Sequence, residues 1–94
     1  MSLAELQIGQ RLVEAIARRV LEESRVVGDE ADWLEYDKGA RWDLRMMAGR
    51  YELRVVFLEE ELEDLPATPE LERRLEQRIR DCWRAVRSVE QPGT

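Results

Sequence analysis

The sequence predicts an α+β fold, and three features carry that prediction. Residues from Trp42 to Phe57 alternate apolar and polar around Gly49-Arg50, and amphipathic helical periods flank this stretch at about 3–26 and about 69–90. One apolar stripe per helix and one apolar sheet face are buried most economically as a two-layer sandwich. The expected order is α-β-β-β-α, with a three-stranded antiparallel meander and both helices on one face. Ninety-four residues suit a single domain spanning 1–94, and no internal repeat or linker divides it.

The first helix opens on a capping box, Ser2 with Glu5, in which each side chain satisfies the other's backbone amide. Leu6, Gly9, Leu12, Val13, Ile16, Ala17 and Val20 then share one arc, with Arg11, Glu14, Arg18 and Glu22 opposite. Gly28 offers a left-handed residue to end the helix, so the helix is expected to stop near Arg25 or Val26. Gly9, central in the apolar arc, leaves a notch for another backbone or a ring, with Trp42 and Trp83 as candidates to fill it.

Residues 32–36 form the first expected strand. A three-residue loop, Asp37-Lys38-Gly39, would set Tyr36 opposite Ala40 and Leu34 opposite Trp42, placing Leu34 and Tyr36 on the buried face. A two-residue Lys38-Gly39 loop would instead set Glu35 opposite Trp42 and is disfavoured, because it puts an unpaired carboxylate on that face. The other two strands, 40–48 and 51–58, are joined by Gly49-Arg50. A type II′ turn there pairs Ala48 with Tyr51, Met46 with Leu53, Leu44 with Val55 and Trp42 with Phe57. A one-residue slip would expose this entire apolar set, so the register is strongly specified.

Residues 59–68 are expected to form an acidic surface loop tacked down by Leu62 and Leu65, because neighbouring carboxylates repel and Pro66 and Pro69 interrupt regular structure. Thr68 and Pro69 then suit the N-cap and first position of the second helix. Leu71, Leu75, Ile79, Cys82, Trp83, Val86 and Val89 form its stripe, and 91–94 should fray.

Twenty-one acidic and fifteen basic residues give a net charge of −6, which favours solubility and disfavours nucleic acid as a partner. No apolar run approaches the roughly 20 residues of a membrane span, and no secretory leader is apparent at the start of the sequence. The lone Cys82 excludes an internal disulfide. A cytoplasmic protein without membrane attachment is the expectation.

The chain has no His, no glycine-rich phosphate loop and no Cys beside a base, so neither the usual nucleophile–base pairs nor a Cys/His zinc site can be assembled. No catalytic residue, cofactor or metal site is assigned. The acidic run Glu59 to Asp64, and Asp29, Glu30 and Asp32, lack the spacing and glycine of a calcium loop. On the second helix Arg73, Arg80, Arg84 and Arg87 share an arc and form a candidate anion or nucleic-acid surface. The stronger candidate is the sheet face away from the helices, where Trp33, Arg41, Arg45, Met47, Arg54, Val56 and Leu58 should lie. Trp and Arg are the side-chain types enriched at interface hot spots. Arg45 and Arg54 fall directly opposite each other there, with Asp43 and Glu52 on the diagonals to offset their repulsion.

The order helix, three-stranded meander, helix resembles, in outline, the double-stranded RNA-binding domain. That family carries a Lys-rich cluster at the start of its second helix, where this chain has Pro69-Glu70-Leu71-Glu72, so its RNA-binding mode is not implied here. The helix and meander with an acidic surface are also similar in outline to the secretion-chaperone fold of type III systems, without that family's further strands and helix. The expectation is therefore a small, acidic, non-enzymatic protein-interaction module of adaptor, chaperone-like or regulatory type, using the exposed sheet face. Pairing of two such sheets, or of two first strands edge to edge, would give a homodimer.

Overall fold

A computed structural model describes residues 3–89 and shows the α+β order, with three helices and a three-stranded antiparallel sheet. The elements are α1 (Leu3–Glu23), β1 (Gly28–Tyr36), β2 (Arg41–Ala48), β3 (Tyr51–Leu58), α2 (Glu59–Asp64) and α3 (Pro69–Val89). Sheet order is β1-β2-β3. The Ser2 cap and the expected frayed tail at 91–94 lie outside the described residues.

The hairpin forms as its alternation requires. Trp42 pairs with Phe57, Leu44 with Val55, Met46 with Leu53 and Ala48 with Tyr51, and Gly49 takes a positive φ of 65° at the first position of the turn. Leu44, Met46, Ala48, Leu53, Val55 and Phe57 are buried against Val13, Ile16, Ala17, Val20 and Leu21 of α1 and Leu71, Leu75, Ile79 and Trp83 of α3. Both long helices thus cover one face of the sheet.

Five local expectations are corrected. α1 ends at Glu23 rather than near 26, and its left-handed terminator is Arg25 (φ 59°), not Gly28. The Val26 amide donates to the Leu21 carbonyl (3.1 Å) and the Arg25 amide to that of Glu22 (2.9 Å), which is the paired bonding of a Schellman ending. Gly28 instead begins β1, making it longer than the expected 32–36. A Cβ there would lie 2.5 Å from the Met46 sulfur and 2.9 Å from Leu21 Cδ1, so the glycine permits close approach of strand to core. The pairing shifts between Gly28 and Ala31, so Asp29 and Glu30 together face Met47 as a bulge.

The β1–β2 register is also different. Tyr36 pairs with Arg41, Glu35 with Trp42, Leu34 with Asp43 and Trp33 with Leu44, the register of a two-residue Lys38-Gly39 loop. Lys38 and Gly39 both have positive φ (56° and 90°) and the Ala40 amide donates to the Asp37 carbonyl at 3.1 Å, as in a type I′ turn. The penalty expected for Glu35 does not arise, because Glu35 remains exposed at the end of the sheet. Trp33 consequently turns inward and Leu34 and Tyr36 turn outward.

In place of the expected acidic loop the chain makes the short helix α2 followed by a 3₁₀ turn at Leu65–Ala67. Glu61 explains the helix: its carboxylate accepts the Leu58 amide at 3.0 Å and two N–H groups of Arg78 at 2.8 Å each. Carboxylates in a first turn also complement the helix dipole. Leu62 and Leu65 are buried as anticipated. The notch at Gly9 is filled by neither tryptophan but by the backbone of α2, since a Cβ on Gly9 would fall 1.8 Å from the Leu62 carbonyl oxygen.

Gly9→Ala should therefore force α2 away from α1 and cost about 1–3 kcal/mol or more, as overpacking does. Urea unfolding measures this, with Gly49→Ala as the comparison: that position has open space, and only its positive φ opposes a side chain.

Candidate interaction surface

The sheet face opposite the helices is organised around Asp43, in the middle of β2. Asp43 is only 1% exposed although no helix covers it. Two arginines close over it: Arg41 gives a two-pronged contact, Nε to Oδ1 at 2.9 Å and Nη2 to Oδ2 at 3.0 Å, and Arg54 Nε reaches Oδ2 at 3.3 Å. Arg54 Nη2 also donates to the Tyr36 hydroxyl at 2.6 Å, and the Arg41 guanidinium lies 4.8 Å from the Tyr36 ring centre. The Arg41 contact, and secondarily that of Arg54, hold the Asp43 carboxyl below the ordinary aspartate value against the opposing effect of burial. The same pairing raises Arg41.

Around this centre the pairing sets Leu34 and Tyr36 of β1 on one side and Val56 and Leu58 of β3 on the other. Tyr36, Val56 and Leu58 are 37%, 41% and 46% exposed. Further along, Arg45 lies opposite Arg54 as anticipated, and the diagonals relieve the pair: Arg45 approaches Glu52 at 3.7 Å while Arg54 holds Asp43. Met47 completes the face. Of the expected surface residues, Arg41, Arg45, Met47, Arg54, Val56 and Leu58 come together, and Trp33 does not. Trp33 sits on the helix side, 6.0 Å from Phe57 between ring centres, and donates Nε1 to Glu14 of α1 at 2.7 Å. Sequence reasoning missed Leu34 and Tyr36, whose signal was the Lys38-Gly39 loop that sets the β1 register, and the burial of Asp43, whose partners Arg41 and Arg54 the β2–β3 pairing brings together.

Two further arginines guard the sheet edges. Arg78 of α3, fixed by Glu61, donates to the Val56 carbonyl of β3 at 3.0 Å. Arg18 of α1 donates to the Gly28 and Asp29 carbonyls at the start of β1, at 3.2 and 3.1 Å. Unpaired edge groups invite pairing with other chains, and long cations are a common means of blunting them.

The arginine arc of α3 is largely occupied within the fold. Arg80 pairs with Glu23 of α1 and with Glu76, which also pairs with Arg19. Arg84 stands 3.7 Å from Asp81, and Arg87 donates to the Ser24 hydroxyl at 3.0 Å beside Trp83, whose Nε1 donates to the same oxygen at 3.1 Å. Arg73 is exposed. Cys82 is half-buried, and burial keeps its thiol above the ordinary value, which disfavours the reactive thiolate. Among the described residues no three His, Cys, Asp or Glu side chains gather as a metal-binding group, and no helix is long and apolar enough to cross a membrane.

The chain matches no known family model, no curated protein and no solved structure.

The carboxylates of Asp43, Glu61, Glu76 and Glu23 are all held below their ordinary values by arginine contacts, whereas desolvation and neighbouring acids raise Glu63. A depressed carboxyl contributes stability above its unfolded value, about 4, and loses that contribution as the pH falls through the lower folded value. The melting temperature should therefore hold between pH 7 and about 5 and drop below about 4, where those four groups outweigh Glu63. Calorimetry over that range tests this, and Asp43→Asn should start lower and show a shallower acid dependence.

Proposed function

We propose that the protein is a non-enzymatic interaction module whose outer sheet face docks a protein partner. The observation that supports this reading is the construction of that face: two apolar pairs, Leu34 with Tyr36 and Val56 with Leu58, flank guanidiniums held in place by a buried carboxylate. An arginine fixed beforehand loses less side-chain freedom on binding, and Tyr and Arg are enriched among residues that dominate interface energies. Replacing a buried ion cluster with apolar groups is often neutral or stabilising, so stability alone gives little reason to keep Asp43 beneath two arginines on an uncovered face. The partner is a folded or extended protein surface with apolar groups at the spacing of these pairs and acceptors for the remaining guanidinium N–H groups. A second copy of the chain supplies the apolar pairs at the matching spacing, so a homodimer is the simplest form of the reading. Nothing in the chemistry of the face calls for nucleic acid, and the arginines of α3 are mostly committed to partners within the fold.

The decisive variant is Val56→Asp, which places a charge in the face without touching the core. Affinity capture with the wild-type chain and with Val56→Asp, read by quantitative mass spectrometry, should show partners retained by the first and lost by the second at unchanged melting temperature. Sedimentation at increasing concentration separates self-association from a foreign partner. An identical capture profile for the two chains, with both monomeric at every concentration, would overturn the proposal.

A further inference from the structure

We infer that the open edge of β1 is a strand-addition site for a basic extended segment of another protein. β1 is an outer strand of the sheet, and Arg18 covers its backbone only at Gly28 and Asp29. Among the described residues, no contact beyond the pairing with β2 satisfies the outward backbone groups of Ala31–Tyr36. An edge with unsatisfied N–H and C=O groups is the template on which peptides add as a further strand. The other edge differs, because Arg78 occupies the Val56 carbonyl of β3.

Space for an added strand exists beside this edge. A groove of about 410 Å³ lies between α1 and β1, with Arg11, Glu14 and Arg18 on the helix wall, Arg18 being held on the Gly28 and Asp29 carbonyls, and Glu30, Ala31 and Trp33 on the strand wall. Glu14 is held by the Trp33 indole, so that wall is preformed. A strand laid along β1 would present alternate side chains to this groove and to the outer face.

Charge selects the occupant. β1 carries Asp29, Glu30, Asp32 and Glu35 and no cation. These four carboxylates are exposed and make no hydrogen bond or ion pair among the described residues, unlike Glu14, Asp43, Glu52, Glu61 and Glu76. Two copies of β1 paired antiparallel about Asp32, whose backbone groups face the open edge, would set Asp32 against Asp32 and crowd four carboxylates from each copy into one seam. Like charges directly opposite destabilise such pairs. The edge is therefore hostile to a second copy and complementary to a strand bearing Lys or Arg at alternate positions. This site uses the backbone edge of β1 rather than the side chains of the outer face, and the two are told apart because outer-face docking would also shift Val56 and Leu58 on β3.

The test uses an eight-residue peptide alternating Val and Lys, a matched Val–Glu peptide, and a Val–Lys peptide with every backbone amide methylated, since methylation of alternate amides would leave one edge free to pair. Titrated into the intact ¹⁵N-labelled chain, the Val–Lys peptide should shift the amides of Ala31–Tyr36 and slow their hydrogen exchange, and the Val–Glu peptide should not. Replacing Glu30 and Asp32 together by Lys should weaken the Val–Lys peptide by about tenfold or more and transfer binding to the Val–Glu peptide, since side chains that hold no internal contacts can change without cost to the fold. The methylated peptide keeps the charge and loses the strand bonds, so it should not bind. Equal binding of the methylated peptide, shifts centred on Glu59–Asp64 or on Val56 and Leu58, or no shift at millimolar peptide would each overturn the inference.

Discussion

The pairing of β2 with β3 is the constraint on which the rest depends. Because the side-chain period of a strand is two, one choice of register sends Leu44, Met46, Leu53, Val55 and Phe57 together to the helix side and Asp43, Arg45, Arg54 and Val56 together to the other. The first set supplies the surface on which α1 and α3 close. The second set is then fixed without further choice, including the placement of Asp43 within reach of both Arg41 and Arg54. Core and outer surface are thus two consequences of a single alignment.

Where the apolar period was long and the turn chemistry unambiguous, the fold was legible in the sequence. The hairpin, its register, α3 and the body of α1 all followed from spacing, as did the offset of Arg45 and Arg54 by their diagonals. Two of the departures turned on whether a polar group would be buried, and solvent or a distant partner decided them. Glu35 escapes burial at the end of the sheet, so the two-residue loop is permitted and Trp33 exchanges faces with Leu34 and Tyr36. Glu59 to Asp64 can form a helix because Arg78, seventeen positions beyond Glu61, neutralises its first turn. Arg25 can end α1 in a left-handed conformation because two backbone bonds compensate a side chain that intrinsically disfavours it. The first two of these depend on distant partners or on position in the sheet, which local patterns do not contain, whereas the third is local backbone bonding.

The candidate surface was legible in the same uneven way. Residues on β2 and β3 were placed correctly because their register was, and Trp33 on β1 was misplaced because its register was not. The aromatic member of the face is Tyr36 rather than Trp33, and its hydroxyl joins the arginine cluster instead of projecting alone. That substitution changes the character of the surface from a bare indole among cations to a hydrogen-bonded lattice of Tyr, Arg and Asp flanked by aliphatic pairs. Such a lattice is directional, and it favours a partner whose polar groups match it over a generic apolar one.

The contact between Arg78 and β3 also bears on the order in which the molecule is made. β3 leaves the ribosome before α3, and its sequence, Tyr51 to Leu58, is rich in residues that favour strands. Until α3 folds down, the guanidinium that occupies the Val56 carbonyl is absent, and the nascent meander presents a bare adhesive margin to neighbouring chains. Safety during synthesis therefore depends on how promptly the last helix arrives. Its strong amphipathic stripe and proline-set start, which let it form locally, shorten that interval.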